Sequence, residues 1–257
     1  VGAPPDAFFG QGQNWGFPPL QPLDPDAVWY FRDVVRTHMA AAGVLRIDHI
    51  MGLFRLYWVP DGMSASEGAY VRYPFEAMLA VLSIESHRND CWVVGEDLGT
   101  VPDEVREAMH RTGMLGMWVA EFEDAWWGGN PLDPPNDSVA CVGTHDTAPF
   151  AVWLDDRDAG ADPIATHAGV VRSMGASDAA IVLVQLEDLW GTREPQNIPG
   201  TPAERPNWVH RFPMPLDDLP TDPRVSEPLT QLDRARTDAA ERVGSPRATA
   251  ADGASDA

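Results

Sequence analysis

Apolar residues recur at helical spacing at Val28, Phe31, Val35 and Met39, just after Asp24-Pro25. An Asp cap followed by proline at the first helical position predicts a helix there. A short strand pattern follows over Val44 to His49, and Phe75, Met78, Leu79 and Leu82 mark a second amphipathic helix. Cys91 to Val94 reads as a strand, and Thr100-Val101-Pro102-Asp103 reads as a capping box opening a helix through about Arg111. Further strands are predicted over Met117–Ala120 and Ser138–Val142, a helix over Thr147–Asp155, and a helix-like stretch over 227–242. The clearest buried strand is Ala180 to Leu186, AIVLVQL. The first 25 residues are rich in proline and glycine but carry Phe8, Phe9, Trp15 and Phe17, so they form an ordered loop rather than a linker. The end, ATAADGASDA, is low in complexity and expected to be disordered.

Strands that are near-continuous apolar runs and alternate with helices imply α/β architecture, a parallel sheet covered by helices. Polar pairs fall at the C-terminal ends of four of the strands: Asp48-His49, Glu96-Asp97, His145-Asp146 and Glu187-Asp188. In βα barrels and in open parallel sheets these ends carry the active site.

Asp48, Glu96 and Asp146 are separated by 48 and 50 residues, which puts them on three different strands. Two carboxylates about 5 Å apart are what a retaining glycosidase needs, one attacking the anomeric carbon and the other protonating the leaving oxygen. Arg46 precedes Asp48 by two residues, so both point to one face of the strand, where the guanidinium favours an ionised nucleophile. Glu96 has no basic neighbour in sequence, which suits an acid. Taken singly, each Asp is more often a turn or helix cap than a catalytic group, His49 and His145 are as readily core histidines, and Asp97 is a cap for the next turn.

Composition narrows the classes. The 257 residues are 44% apolar, enough for one or two globular domains, and 18 basic against 39 acidic residues give a net charge of −21. Such a surface repels nucleic acid and anionic membranes, and no apolar run approaches the roughly 20 residues of a membrane span. The two cysteines, Cys91 and Cys141, make no disulfide framework and suit a reduced cytoplasm. The start, VGAPPDAFF, shows neither Met nor a leader, and the chain is read as a piece of something longer. No phosphate-binding GxxxxGK, HExxH or CxxC is present, and the glycines of GQGQNWG have the wrong spacing for a dinucleotide loop. A metal-dependent hydrolase built on the His, Asp and Glu at strand ends is the rival chemistry, separable by chelators. Most of the ten tryptophans are expected in the core, and Trp15 is the best platform for the apolar face of a sugar.

RIDHIMGLFRLYWVP, VVGEDLGTVPDEV, GTHD and NIPGT…NW together resemble the 4-α-glucanotransferases (amylomaltases, disproportionating enzymes) from residue 1 to about 215. The resemblance implies a (β/α)₈ TIM barrel and retaining transfer of α-1,4-glucan segments without metal or cofactor. It assigns Asp48 as nucleophile, Glu96 as acid/base and Asp146 as transition-state stabiliser. Arg46, His145, His49, Trp15, Asn14, Gln13, Asp6 and Phe8 are assigned to glucan binding, with residues 1–23 as an arching substrate loop. Thr147-Ala148-Pro149 departs from the asparagine-containing run that follows THD in many members. The predicted strands number about five, near residues 44, 91, 117, 138 and 179, whereas a closed barrel needs eight. The expectation is a partial barrel of about five C-terminal βα units over 1–215, a helical segment over 216–245, a tail over 246–257, and an N-terminal portion of the same enzyme as the missing partner. By itself the piece is expected to be inactive. Hydrolysis by the same mechanism and non-catalytic glucan binding are the alternative functions.

Overall fold

The computed structural model describes residues 1–5, 10–123, 132–158, 160–199, 201 and 205–243. Asp6, Phe8 and the expected tail lie outside the described residues. The chain forms two compact units, Val1–Met117 and Trp118–Ala257.

In the first unit, β3 (Val44–Ile47) and β6 (Trp92–Gly95) pair in parallel, Val44 opposite Trp92 and Ile47 opposite Gly95. A parallel bridge from Val94 to Leu115 continues the order toward the next strand. Helices α1 (Ala27–Met39), α2 (Phe75–Asn89) and α3 (Asp103–Thr112) supply the apolar cover. Val35 and Met39 of α1, Leu79 and Leu82 of α2, and Val105 and Met109 of α3 share one core with Val93. The α1–α2 contact also holds the buried Glu85, which accepts two hydrogen bonds from Arg36, at 3.0 and 2.7 Å, and one from Arg88 at 3.0 Å. A carboxylate this buried requires such pairing.

The helix ends differ from the predicted caps. Asp24 does not cap α1 through its side chain. Its Oδ1 accepts from Asp26 N–H at 2.9 Å, one step ahead of a helix whose N-cap is Asp26. Thr100 forms no capping box, because Pro102 holds the N-cap of α3 and no side chain caps it. A capping box does form at Ser64 and Glu67, ahead of a single 3₁₀ turn.

The opening stretch is ordered but contains strands. β1 (Gly2–Ala3) and β2 (Gln13–Asn14) join β4 (Arg55–Trp58) and β5 (Ala69–Arg72) in an antiparallel sheet of order β2-β1-β4-β5. The period-2 signal for this sheet was hidden in aromatic-rich runs and in strands of two residues.

A further sheet has the order β7 (Gly116–Val119), β8 (Ser138–Cys141), β9 (Ile181–Leu183), with β8 and β9 parallel. The strand predicted to Leu186 stops at Leu183, and Leu186–Leu189 turn into the short helix α6, so Glu187 and Asp188 ride on a helix rather than a strand end. Helices α4 (Phe150–Asp158) and α5 (Pro163–Gly175) flank the sheet. The Asp162 carboxylate caps α5, accepting from Ile164 and Ala165 N–H at 2.9 and 3.2 Å. Helix α7 (Pro223–Val243) lies against α5 where Gly175 leaves room, since a Cβ there would sit 2.7 Å from a Leu232 methyl. Arg236 on α7 donates to the carbonyls of Ala179 and Ala180 just before β9. All five strands of the predicted α/β series form.

Candidate active site

Strand β3 delivers Arg46 and, one residue past its end, Asp48. The guanidinium of Arg46 lies 2.8 Å from Asp48 Oδ1, and its Nε donates to Met117 Sδ at 3.4 Å. The Asp48 side chain is 76% exposed, so it is poised toward solvent on a cationic brace.

The next residue, His49, has φ +45, a left-handed backbone that is uncommon outside glycine. This turn aims the His49 N–H at Glu96 Oε2, at 2.7 Å, while Leu98 N–H donates to Oε1 at 2.9 Å. Glu96 follows β6 and is fixed by its own main chain, its N–H donating to Ile47 O and its carbonyl accepting from Ile50 N–H. At Gly95 a Cβ would lie 2.8 Å from Met109 Cε and 3.0 Å from Ile50 Cγ1, so the glycine lets these side chains pack against the strand end.

Burial raises the Glu96 carboxyl above its ordinary range. The two main-chain N–H groups and Arg46 oppose that shift, and Asp48 adds to it. Burial lowers the His49 imidazole, against the pull of Asp48. One acid is therefore held toward its protonated form beside another that is exposed and paired with a cation. Asp97, beside Glu96, is spent on structure: Oδ1 accepts from Met117 N–H at 2.8 Å and Oδ2 faces Arg106 at 3.2 Å.

The opening loop reaches this group. Trp15 packs edge-on against His49, ring centres 5.2 Å apart, and stacks on Phe17 at 6.2 Å. Gln13 accepts from the Trp15 indole N–H at 2.7 Å, and Asn14 Oδ1 accepts from Gly16 N–H at 3.0 Å, so both amide side chains are engaged in shaping the loop.

In the second unit, Asp146 and His145 lie on the turn after β8. His145 Nε2 is 3.3 Å from Asp146 Oδ2, and Asn197 donates to Asp146 Oδ1 at 2.7 Å. The His145 ring faces Trp208, centres 5.8 Å apart. Trp208 is 60% exposed with φ +62, an outlier for so large a residue. Its main-chain N–H donates to Gln196 O, and Asn207 Oδ1 accepts from Ile198 N–H, so Asn207 and Trp208 are tied back to Gln196 and Ile198.

Asn197, Trp208 and the buried Glu121 had no assigned role in the sequence. The first two lie within a motif already picked out, whereas Glu121 follows a strand with no pattern to mark it. Among the described residues no group of three or more His, Cys, Asp or Glu is arranged to hold a metal ion. Nor is any described helix long and apolar enough to cross a membrane.

An acid shielded by burial, next to an ion-paired carboxylate at the ends of parallel strands, defines a class of α/β proteins with two-carboxylate sites. The chain belongs to the 4-alpha-glucanotransferase family, whose profile matches residues 1–217. It is 33% identical over 288 residues to a 4-alpha-glucanotransferase of Haemophilus influenzae, covering 92% of this chain and 41% of that protein. It is 35% identical over 292 residues to one of Mycobacterium tuberculosis, covering 92% and 40%. The chain thus spans about two fifths of the length of these relatives. The amylomaltase of Corynebacterium glutamicum superposes with a TM-score of 0.72 at 25% identity, covering 92% of this chain and 42% of that one. An amylomaltase from Streptococcus agalactiae, solved in complex with acarbose, shares the fold at a TM-score of 0.74 and 22% identity, covering 91% and 50%.

Proposed function

We propose that this chain carries the catalytic carboxylates of a retaining 4-α-glucanotransferase acting on α-1,4-glucans. The observation that carries the reading is the contrast between Glu96 and Asp48. Glu96 is shielded, gripped by main-chain N–H groups and raised in pKa, while Asp48 is exposed and paired with Arg46. Opposed environments for two neighbouring acids support reading Glu96 as proton donor and Asp48 as nucleophile.

In the proposed reaction an Asp48 oxygen attacks the anomeric carbon. The glycosidic C–O bond breaks as Glu96 gives its proton to the leaving oxygen, which departs as the free hydroxyl of the shortened glucan. The covalent glycosyl–Asp48 ester is then attacked by the 4-hydroxyl of a second glucan. Glu96 takes that hydroxyl proton, a new α-1,4 bond forms, and Asp48 leaves as a carboxylate. Two inversions give net retention. Asp146, steadied by Asn197, takes the transition-state role, and His145, His49, Arg46 and the Trp15 loop bind sugar. Trp208 offers a second exposed ring for stacking.

The chemistry calls for no cofactor, and a cytoplasmic maltodextrin pool is the proposed substrate source. Residues 1–215 are proposed as part of a (β/α)₈ barrel that an N-terminal portion completes, with 216–245 as a helical appendage. The test is incubation of the chain with maltotriose, alone and with the N-terminal portion of a relative supplied in trans. A ladder of longer maltodextrins plus glucose in the complemented sample is expected. Glucose and maltose alone mean a hydrolase, and no conversion with retained glucan binding means a binding protein.

A further inference from the structure

The second acid of the Glu96-Asp97 pair is unused by the proposed reaction, and it leads to a further residue. The Asp97 carboxylate lies against the start of β7, where a Cβ on Gly116 would sit 3.1 Å from Oδ2 and 3.2 Å from Oδ1. The glycine lets the acid come that close. Oδ1 then accepts from Met117 N–H at 2.8 Å, while Oδ2 faces Arg106 at 3.2 Å. Just ahead, Leu115 N–H donates to Val93 O at 2.9 Å and Leu115 O accepts from Gly95 N–H at 2.8 Å, which ties the same stretch to β6. The backbone at Met117 is therefore placed by the strand before Glu96 and by the acid after it.

From that anchored backbone the half-buried Met117 side chain reaches Arg46, its Sδ accepting from Nε–H at 3.4 Å. Another nitrogen of the same guanidinium, Nη1, lies 2.8 Å from Asp48 Oδ1. That ion pair is a loose restraint by itself. Arg46 is 37% exposed and Asp48 76%, and ion pairs so open to water hold their geometry weakly. Arginine also has a long side chain with much rotamer freedom to lose. One contact leaves the planar guanidinium free to swing about it. A second contact at Nε removes the swing and sets the plane from which Nη1 faces Asp48.

We propose that Met117 is a positioning residue for the nucleophile: its thioether fixes the Arg46 guanidinium and, through it, the Asp48 carboxylate. Met117 acts through Arg46 and not on the reacting atoms. The role rests on the transferase reading only for the part Asp48 plays. The chemistry of the acceptor matters. A hydrocarbon at 117 would leave the Nε–H without an acceptor on this side. A carboxylate there would draw the guanidinium to itself as a charged partner and compete with Asp48. A thioether is a weak and uncharged acceptor, so it orients the fork and leaves the positive charge to the nucleophile.

Two variants separate the sulfur from its bulk. Met117→Leu keeps an apolar side chain of similar volume without an acceptor, and Met117→Gln restores an uncharged acceptor at similar reach. The first readout is the Arg46 Nε–H signal in ¹H–¹⁵N spectra of the intact chain, assigned by its loss in Arg46→Lys. In the wild type it should stand apart from the signals of solvent-exposed arginines. In Met117→Leu it should move to join them, and in Met117→Gln it should stand apart again. The second readout is turnover of an α-glycosyl fluoride by the complemented enzyme, where Asp48 attacks and fluoride leaves without a proton from Glu96. Met117→Leu should lower kcat by about ten-fold with KM little changed, as expected of a nucleophile held less closely in place, and Met117→Gln should recover most of the loss. An Arg46 signal that is the same in the wild type and Met117→Leu overturns the proposal. So does a Leu variant at least as fast as the Gln variant, the order that packing alone would give. A signal that responds as expected without glucan transfer would leave the hold of Met117 on Arg46 intact and remove the transferase reading. Transfer with an unresponsive signal would remove the positioning alone.

Discussion

Replacing Glu121 by Gln should make the chain more stable at neutral and alkaline pH. The carboxyl is raised from 4.5 to about 8 in the fold, a gap of about 3.5 pH units. Because the folded value lies above the unfolded one, the stabilising effect of the bound proton is complete below about 4.5 and is lost as pH rises through about 8. Each pH unit inside that window removes ~1.4 kcal/mol. At pH 7, about 2.5 units into it, the wild type has therefore lost about 3 kcal/mol relative to acid conditions. The isosteric amide has no proton to hold and escapes that loss. His167, lowered to about 4, imposes a pH dependence common to the two proteins that cancels in the difference, while Asp188, raised to about 6, is one of the groups that raise the Glu121 carboxyl and is already counted in its shift. Urea denaturation followed by tryptophan fluorescence at about pH 5, 7 and 9 measures the gap. It should be small at the lowest pH and widen by about 3 kcal/mol by neutrality. Parallel stability curves for the two proteins would show that the buried carboxyl ionises without cost and that the reasoning about its neutral state is wrong.

In the complemented enzyme, Asp48→Asn should form no covalent intermediate, while Glu96→Gln should still attack a glycosyl fluoride because fluoride leaves without a proton; equal responses would undo the two assignments. Trp15→Ala should weaken acceptor use and cost about 1 kcal/mol by removing the edge-on contact with His49, a cost that thermal melting can separate from a full core loss of roughly 3 kcal/mol or more. Trp208→Gly should relieve about 1 kcal/mol of left-handed strain yet weaken glucan binding, so titration calorimetry and melting should move in opposite directions. On β9, Leu183 is 52% exposed at the edge of its sheet, and Leu183→Lys should lower light scattering on concentration, since charge blunts an open edge.

The parallel strands were legible because their apolar runs are short, continuous and bounded by acids, and all five formed within a few residues of the prediction. Helix α5 was missed although Asp162-Pro163 is the same signal read at Asp24-Pro25; its apolar face, with Val170, Val171 and Met174, is interrupted by glycine and a buried histidine. The antiparallel sheet was missed because two of its strands have two residues each and are specified by tertiary contact, not by period. Arg46 beside Asp48 followed from i, i+2 geometry alone. The grip on Glu96 did not, because it comes from main-chain N–H groups of His49 and Leu98, and a main-chain donor leaves no mark on residue type. Glu121 was invisible for a different reason. Its raised carboxyl comes from burial against residues more than twenty positions away, Gly143 among them, which no local pattern announces.

That main-chain grip has a consequence for how such a site can change over generations. Both oxygens of Glu96 are held by groups that every residue except proline possesses, one from His49 and one from Leu98. Substitution at either position leaves the donor in place so long as the backbone keeps its course. The orientation of the proton donor is thus buffered against point mutation, while its acidity is not, because that is set first by what covers it, against the two N–H groups, with Asp48 and Arg46 adding smaller opposed effects. The side chain at 98 can change without dislodging the acid, whereas position 49 is held to residues that tolerate its left-handed φ of +45. A lineage built this way can explore substrate preference and working pH through its loops and keep the aim of its chemistry fixed.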